Sequence, residues 1–174
     1  INEDLGTYCW KIKDFKPIEG SIPAISKLRK LGHKVVIITN QGGIEKNLFT
    51  EDDVENLHKH MFELLGEAGC QSIDALYYSA SSRKQDMYAK PNIGMFKRCE
   101  KEKPHIKFSQ GYYVGDKISD LKAAMKIGAR PILVRTGYGK ETEALINKRF
   151  TYRPIKKRTK VFDTLLDFVN YLED

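Results

Sequence analysis

The sequence lacks the features that mark secreted, membrane-spanning or disulfide-stapled proteins. Its three cysteines, Cys9, Cys70 and Cys99, are scattered, odd in number and without the spacing of metal ligands. They favour reduced thiols in a cytoplasmic protein over a disulfide framework. No apolar run approaches the roughly 18 residues needed to span a bilayer, and no secretory signal pattern is present. We therefore expect a cytoplasmic protein with no membrane partner.

Acidic residues are absent from one stretch near the C-terminus, residues 148–160, which carries seven lysines and arginines. The whole chain has a formal net charge of +7 and a pI of about 9.2. A basic balance of this kind suits either nucleic acid or a phosphorylated small molecule. We interpret the stretch itself as a solvated basic loop.

Apolar residues follow a pattern in which strands alternate with helices. Short β-branched or apolar runs predict strands, as in 34–39, whose four central residues are all valine or isoleucine. Between them, apolar residues recur at helical spacing. The alternation predicts an α/β fold, a doubly wound and mainly parallel sheet with helices on both faces. At 174 residues the chain fits a single domain, 1–174, with no large cap domain. The predicted strands are 34–39, 75–78, 111–114 and 131–134, and the predicted helices are 21–31, 50–65, 92–103, 119–127, 141–148 and 161–172.

Two carboxylates, Asp116 and Asp120, follow the strand predicted at 111–114. In open α/β sheets, ligands bind just beyond the carboxyl ends of the strands. Two carboxylates at such a point suit a hard divalent cation such as Mg²⁺. The alternative is structural: Asp116 ends the strand in a turn, and Ser119 or Asp120 caps the next helix.

Two further strand ends carry polar groups. Thr39, Asn40 and Gln41 follow the strand at 34–39, and Lys90 stands just before the helix at 92–103. A hydroxyl with nearby backbone N–H groups can hold phosphate oxygens, and a fixed lysine can neutralise them. Together with Asp116 these groups would form a phosphoryl-transfer site, although no nucleophile is among them. A capped turn and a solvated surface lysine remain the alternatives.

The order and spacing of these segments resemble those of a known family. Thr39-Asn40-Gln41, Lys90-Pro91-x-x-Gly94-Met95 and Gly115-Asp116-x-x-x-Asp120 are similar to motifs two, three and four of the haloacid dehalogenase superfamily. The similarity is greatest to its histidinol-phosphatase-like branch, particularly the heptose-bisphosphate phosphatases. It covers nearly the whole chain and implies a HAD-like, Rossmannoid fold.

The resemblance assigns a role to each matching residue. It implies that Asp116 binds Mg²⁺, that Thr39 and Lys90 hold the transferring phosphoryl group, and that Asp120 orients Lys90 or the metal shell. Asn40 is expected close to the phosphoryl group. The resemblance also suggests contacts to the body of the substrate from Asn2, Gln41, Gly43, Lys46 and Lys117.

In this family, motif one is Asp-x-Asp-Gly-Thr/Val followed at once by Ile-Asn, and the present sequence opens with Ile1-Asn2. The resemblance implies that the nucleophilic aspartate, the acid/base aspartate and the central strand of the sheet precede Ile1, on about 10–15 further residues. A doubly wound sheet without its central strand would have two unpaired edges and a slot in its core.

The implied activity is Mg²⁺-dependent hydrolysis of a phosphate monoester through an aspartyl-phosphate. The expected substrate is a small sugar phosphate, D-glycero-D-manno-heptose 1,7-bisphosphate, in carbohydrate metabolism and lipopolysaccharide biosynthesis. We expect a monomer that does not bind nucleic acid. Much of the branch that the sequence resembles binds zinc through cysteines and a histidine in the loop that corresponds to residues 78–91. Those residues contain no cysteine or histidine here, so zinc is not expected.

Three alternatives remain open. The substrate could be histidinol phosphate or a nucleic-acid 3′-phosphate, or the chain could be a non-catalytic relative that binds sugar phosphates. One departure from the family bears on the substrate. Ala89 stands where many members have an arginine that helps to select it.

Overall fold

Strands and helices alternate along the chain in the computed structural model, which describes residues 1–173. Over these residues it has five strands: β1 (Val36–Asn40), β2 (Ala75–Ser79), β3 (Tyr112–Gly115), β4 (Arg130–Val134) and β5 (Lys160–Phe162). The α-helices are α1 (Ser21–Lys30), α2 (Glu51–Glu67), α3 (Gly94–Glu102), α4 (Ile118–Ile127), α5 (Gly139–Lys148), α6 (Arg153–Arg158) and α7 (Leu165–Tyr171). Short 3₁₀ helices cover Ile12–Asp14, Phe108–Gln110 and Phe150–Tyr152.

The strands pair in parallel, as the alternation predicts. β1 pairs with β2, and β4 lies between β3 and β5 in a second sheet. Within residues 1–173, β1 and β3 do not pair with each other, so each leaves one edge unpaired. The doubly wound, parallel α/β class is confirmed, and the strands are divided between two sheets.

Helices cover both faces of the sheets, which is also confirmed. Ile37 packs towards α1 and α2, whereas its neighbour Ile38 packs towards α3 and α4. Val114 and Tyr113 of β3 show the same alternation. Since successive side chains of a strand point to opposite faces, a strand that is apolar throughout must be covered on both sides.

Two helix starts have well-defined caps. Thr50 caps α2, because its hydroxyl accepts from the Asp53 N–H while the Asp53 carboxylate accepts from Thr50. Ser21 is the first residue of α1. The cap is Gly20, with φ of 78°, a left-handed conformation that favours glycine.

The basic stretch 148–160 is not the solvated loop that the sequence suggested. It contains the end of α5, a 3₁₀ turn, α6 and the first residue of β5. Pro154 lies in the first turn of α6, where its missing N–H costs nothing. Ile155 is buried and anchors the stretch to the core. These elements could not be predicted from the sequence, because the stretch has too few apolar residues to show the spacing of a helix or a strand.

The connections between elements are short. The longest one after β1, residues 80–93, links β2 to α3 and is far smaller than a separate domain of about 50 residues. From residue 1 to residue 173, every helix is too short or too polar to cross a lipid bilayer.

Candidate active site

Lys90 is the centre of a buried polar cluster near the carboxyl ends of β1 and β3. Its ammonium group forms an ion pair with Asp120, at 2.8 Å. It also donates hydrogen bonds to the Ile38 carbonyl at 3.0 Å and to the Tyr113 hydroxyl at 3.1 Å. The Lys90 side chain is only 12% exposed and that of Asp120 only 6%. Burial of both charges is tolerable because each has the other as a partner.

The surroundings keep Lys90 protonated. Burial opposes the ammonium form, but the polar contact with Tyr113 and the Asp120 carboxylate outweigh it and raise the pKa of Lys90 above its usual value. The Tyr113 phenol remains neutral, because burial raises its pKa to about 12. Lys90 therefore keeps its positive charge over the neutral range.

Asp120 is fixed by the start of α4 and by the strand before it. Its Oδ2 accepts a hydrogen bond from the Lys117 N–H at 3.0 Å, one half of a helix-capping arrangement. A Cβ at Gly115 would lie 2.4 Å from the Asp120 Cβ, so only glycine leaves room for this side chain. The sequence left metal binding and helix capping as alternatives for Asp120; the structure shows the capping bond together with the ion pair to Lys90.

Asp116 lies directly after β3 and is held by the loop between β4 and α5. Its Oδ2 accepts from the Tyr138 N–H at 2.9 Å, and its carbonyl accepts from the Thr142 hydroxyl at 2.7 Å. Gly137 adopts φ of 54°, and a Cβ there would lie 2.4 Å from Asp116 Oδ2. The carboxylate is half-buried, so it is fixed in direction while it remains open to a ligand.

Asn40 contacts the backbone of Lys90 through both ends of its carboxamide. Its Oδ1 accepts from the Lys90 N–H at 2.9 Å, and its Nδ2 donates to the Lys90 carbonyl at 3.1 Å. These bonds join the end of β1 to the segment before α3. Asn40 therefore contacts the segment that carries the ammonium group.

Thr39 lies beside this cluster on β1, between Ile38, which accepts from Lys90, and Asn40. It pairs with Tyr78 of β2 and is half-buried. Its hydroxyl has no hydrogen-bond partner among residues 1–173. A hydroxyl at this position remains able to bind an external oxygen.

The residues expected to contact the body of the substrate are spread around the cluster. Lys117 is bonded to the cluster directly, because its backbone N–H donates to Asp120, and its ammonium group lies 4.2 Å from the centre of the Tyr138 ring. Lys46 lies 5.4 Å from the centre of the Tyr8 ring. Both ammonium groups are on exposed residues.

The other three have local structural contacts. Asn2 donates to the Glu3 carbonyl and forms a β-bridge with Pro17. The Gln41 N–H donates to Ser79, and Gly43 gives space to the Phe49 ring, which a Cβ would meet at 2.1 Å. Among the described residues, no hydrogen bond joins these three to Lys90 or Asp116.

Two groups that contact the site residues were not predicted from the sequence. Tyr113 looks like an ordinary strand residue, and the Tyr138 N–H is a backbone group in a loop with no pattern of its own. The glycines that flank Tyr138 are the one sequence signal for a loop that approaches another backbone closely.

A buried lysine–aspartate pair and a second carboxylate at the carboxyl ends of parallel strands define a site suited to phosphoryl transfer on a Rossmannoid fold. A family model described as polynucleotide kinase 3 phosphatase matches residues 6–131. The D-glycero-beta-D-manno-heptose-1,7-bisphosphate 7-phosphatase of Neisseria meningitidis serogroup A is 31% identical over 173 residues, covering 99% of this chain and 89% of the relative. The enzyme of the same name from Haemophilus influenzae is 38% identical over 147 residues, covering 79% and 77%.

Solved structures agree. The D,D-heptose 1,7-bisphosphate phosphatase from B. bronchiseptica, complexed with magnesium and phosphate, superposes with a TM-score of 0.87 at 25% identity, covering 99% of this chain and 92% of that one. The chain belongs to the haloacid dehalogenase superfamily of phosphatases, in the group formed by these heptose-bisphosphate phosphatases.

Proposed function

We propose that the protein hydrolyses D-glycero-D-manno-heptose 1,7-bisphosphate in a Mg²⁺-dependent reaction, releasing one phosphate. The observation that carries the proposal is the buried ion pair of Lys90 with Asp120, in a chain that spans 89% of a relative with this named activity. A fixed ammonium group in a dry setting stabilises the charge of a transferring phosphoryl group more strongly than a solvated one would. A place in lipopolysaccharide biosynthesis in the cytoplasm belongs to the same proposal.

Lys90 and Thr39 are the proposed phosphate ligands. The Lys90 ammonium group makes three polar contacts, which fix its position before a substrate arrives. The hydroxyl of Thr39 has no partner among the described residues. In this proposal Asp120 and Asn40 are positioning residues, since both act on Lys90.

Asp116 is the proposed metal ligand. Mg²⁺ keeps several waters and binds through one or two carboxylates together with phosphate oxygens, so a single half-buried carboxylate fits it. Over residues 1–173, no cluster of three or more histidine, cysteine, aspartate or glutamate side chains forms a complete metal cage. When bound, the ion would polarise the phosphoryl group; Asp116 would hold it, and the Tyr138 N–H would keep that carboxylate in place.

The proposed nucleophile is a carboxylate on a strand between β1 and β3. The unpaired edges of these two strands support this. A carboxylate oxygen attacks phosphorus, the ester P–O bond breaks, and the sugar oxygen leaves with a proton donated by the acid/base aspartate that the resemblance implies beside the nucleophile. Water then hydrolyses the aspartyl-phosphate.

The family model described as polynucleotide kinase 3 phosphatase supports a second candidate, hydrolysis of a nucleic-acid 3′-phosphate. The site chemistry is the same in both, because Lys90, Asp116 and Thr39 would contact the phosphoryl group alone. The two candidates differ in the part of the substrate beyond it.

The test is phosphate release by the full-length protein, with and without Mg²⁺. The substrates are the heptose bisphosphate, histidinol phosphate and 3′-phosphorylated DNA. Asp116→Asn removes the proposed metal ligand, and Asp52→Asn, an exposed residue of α2, is the matched control. We expect Mg²⁺-dependent release from the heptose bisphosphate that is lost only in Asp116→Asn. Release from DNA alone would favour the second candidate, and no release from any of the three would leave a binding protein.

A further inference from the structure

The formal net charge of the molecule is concentrated in residues 148–160, which we name the basic segment. It holds seven cations and no acidic residue, and the seven equal the excess of 30 lysines and arginines over 23 aspartates and glutamates. The rest of the chain therefore contains equal numbers of basic and acidic residues. All seven side chains belong to exposed residues, and within residues 1–173 none forms a salt bridge. The seven are Lys148, Arg149, Arg153, Lys156, Lys157, Arg158 and Lys160.

The basic segment is an ordered part of the fold. Ile155 of α6 is buried against Leu121 of α4 and Leu133 of β4. At its C-terminal end, the Lys160 backbone pairs with Ile132 in the register of β4 and β5. Cations on a fixed backbone lose less conformational entropy when they bind than cations on a mobile tail.

An aromatic side chain projects from the same surface. Phe150 is 77% exposed, the highest value among the large apolar residues described. The Arg153 guanidinium lies 4.9 Å from the centre of its ring. Nearby, the Lys122 ammonium group of α4 lies 5.2 Å from the centre of the half-buried Tyr152 ring. An exposed ring among unpaired cations can stack on a base while the cations contact phosphates.

We propose that the basic segment binds single-stranded nucleic acid. This goes beyond the proposed phosphatase activity, because it involves none of the residues assigned to the phosphoryl site. The cations would contact successive phosphates and Phe150 would stack on a base, a mode that tolerates any sequence. From the sequence we expected no nucleic acid partner; the ordered backbone and the exposed Phe150 change that expectation.

The surface suits nucleic acid better than a membrane. A helix that lies on a membrane buries an apolar face among the lipids. The apolar residue of α6, Ile155, faces the protein core instead. Phe150 is then the one large apolar side chain that the described segment exposes, which is too little for insertion.

The test measures binding of the full-length protein to a fluorescent 20-nucleotide single-stranded RNA by anisotropy, over a range of salt concentrations. One variant carries Lys156→Gln, Lys157→Gln and Arg158→Gln. Its matched control carries Lys97→Gln, Lys101→Gln and Lys107→Gln, three exposed lysines outside the basic segment. A third protein carries Phe150→Ala. Vesicles rich in an anionic phospholipid provide the membrane arm.

We expect the first variant to bind about ten-fold or more weakly and to lower the slope of log affinity against log salt by about 2, or about 0.7 for each lost phosphate contact. Phe150→Ala should weaken binding about five-fold or more. The control variant should bind RNA as tightly as the parent protein. All three variants should release phosphate at the rate of the parent protein. Equal losses in the two triple variants, no RNA binding at low salt, or binding to vesicles but not to RNA would each overturn the proposal.

Discussion

The Asn40 carboxamide and the Lys90 backbone exchange two hydrogen bonds, at 2.9 and 3.1 Å. They connect the end of β1 with the segment before α3, 50 residues further along the chain. The Lys90 side chain returns to the same strand, where its ammonium group donates to the Ile38 carbonyl. β1 therefore holds Lys90 both at its backbone, through Asn40, and at its ammonium group, through Ile38.

Replacing Asn40 with alanine should release this segment. Loss of two neutral hydrogen bonds should lower the free energy of unfolding by about 1–3 kcal/mol. A misplaced ammonium group should lower kcat about 10- to 100-fold with a smaller change in KM. Chemical denaturation and steady-state phosphate release would measure both effects. Asn40→Asp keeps the acceptor for the Lys90 N–H, so its free energy of unfolding and its kcat should lie between those of the parent and of Asn40→Ala. A raised KM with an unchanged kcat would mean that Asn40 binds substrate directly.

Asp120→Asn should make the activity more sensitive to alkali. The parent carboxylate helps to raise the pKa of Lys90, so its removal lowers that pKa and the ammonium group loses its proton at a lower pH. We expect the alkaline limb of kcat/KM to move to lower pH. The control is Asp163→Asn, which removes a carboxylate from the surface ion pair with Arg135. An unmoved limb would mean that this limb does not report on Lys90.

Much of the fold could be predicted from sequence because its strands are apolar on both faces and its helices have one apolar side. The 34–39 run gave β1 to within two residues. The basic stretch could not be assigned in this way. α6 has six residues and one buried side chain, and β5 has three residues, so neither is long enough to show a period.

The site was predictable in part for a similar reason. Lys90, Asp116 and Asp120 stand at strand or helix ends, where side chains converge by topology. Two partners that fix them are harder to find: a phenol on β3 and a backbone N–H in the loop before α5. Asn40 was expected at the site, but its contact with Lys90 joins residues 50 apart and has no local sequence signal.

Alkaline pH should destabilise the protein, and Tyr113 should account for part of the effect. Its pKa is about 12 in the folded state and near 10 when unfolded. The unfolded phenol therefore loses its proton first, and stability falls as the pH rises from 10 to 12. Lys90 acts in the same direction, since its raised pKa favours the folded state until the pH passes that value. Tyr113→Phe should remove up to about 3 kcal/mol of this loss, as measured by denaturation at intervals over that range; an unchanged slope would contradict the assignment.

Gly115→Ala tests whether the close packing of β3 against Asp120 is required. The added Cβ would lie 2.4 Å from the Asp120 Cβ and 2.5 Å from its Cγ, so Asp120 or β3 must shift and the ion pair with Lys90 is disturbed. Overpacking of this kind should lower the free energy of unfolding by about 1–3 kcal/mol, and activity should fall with it. Gly66→Ala is the matched control, because no atom lies within 4 Å of its added Cβ on α2, and alanine should stabilise that helix by up to about 1 kcal/mol. Chemical denaturation should therefore show a lower free energy of unfolding for Gly115→Ala and a higher one for Gly66→Ala. Gly115→Ala with the stability and activity of the parent would mean that Asp120 can hold Lys90 from a second position.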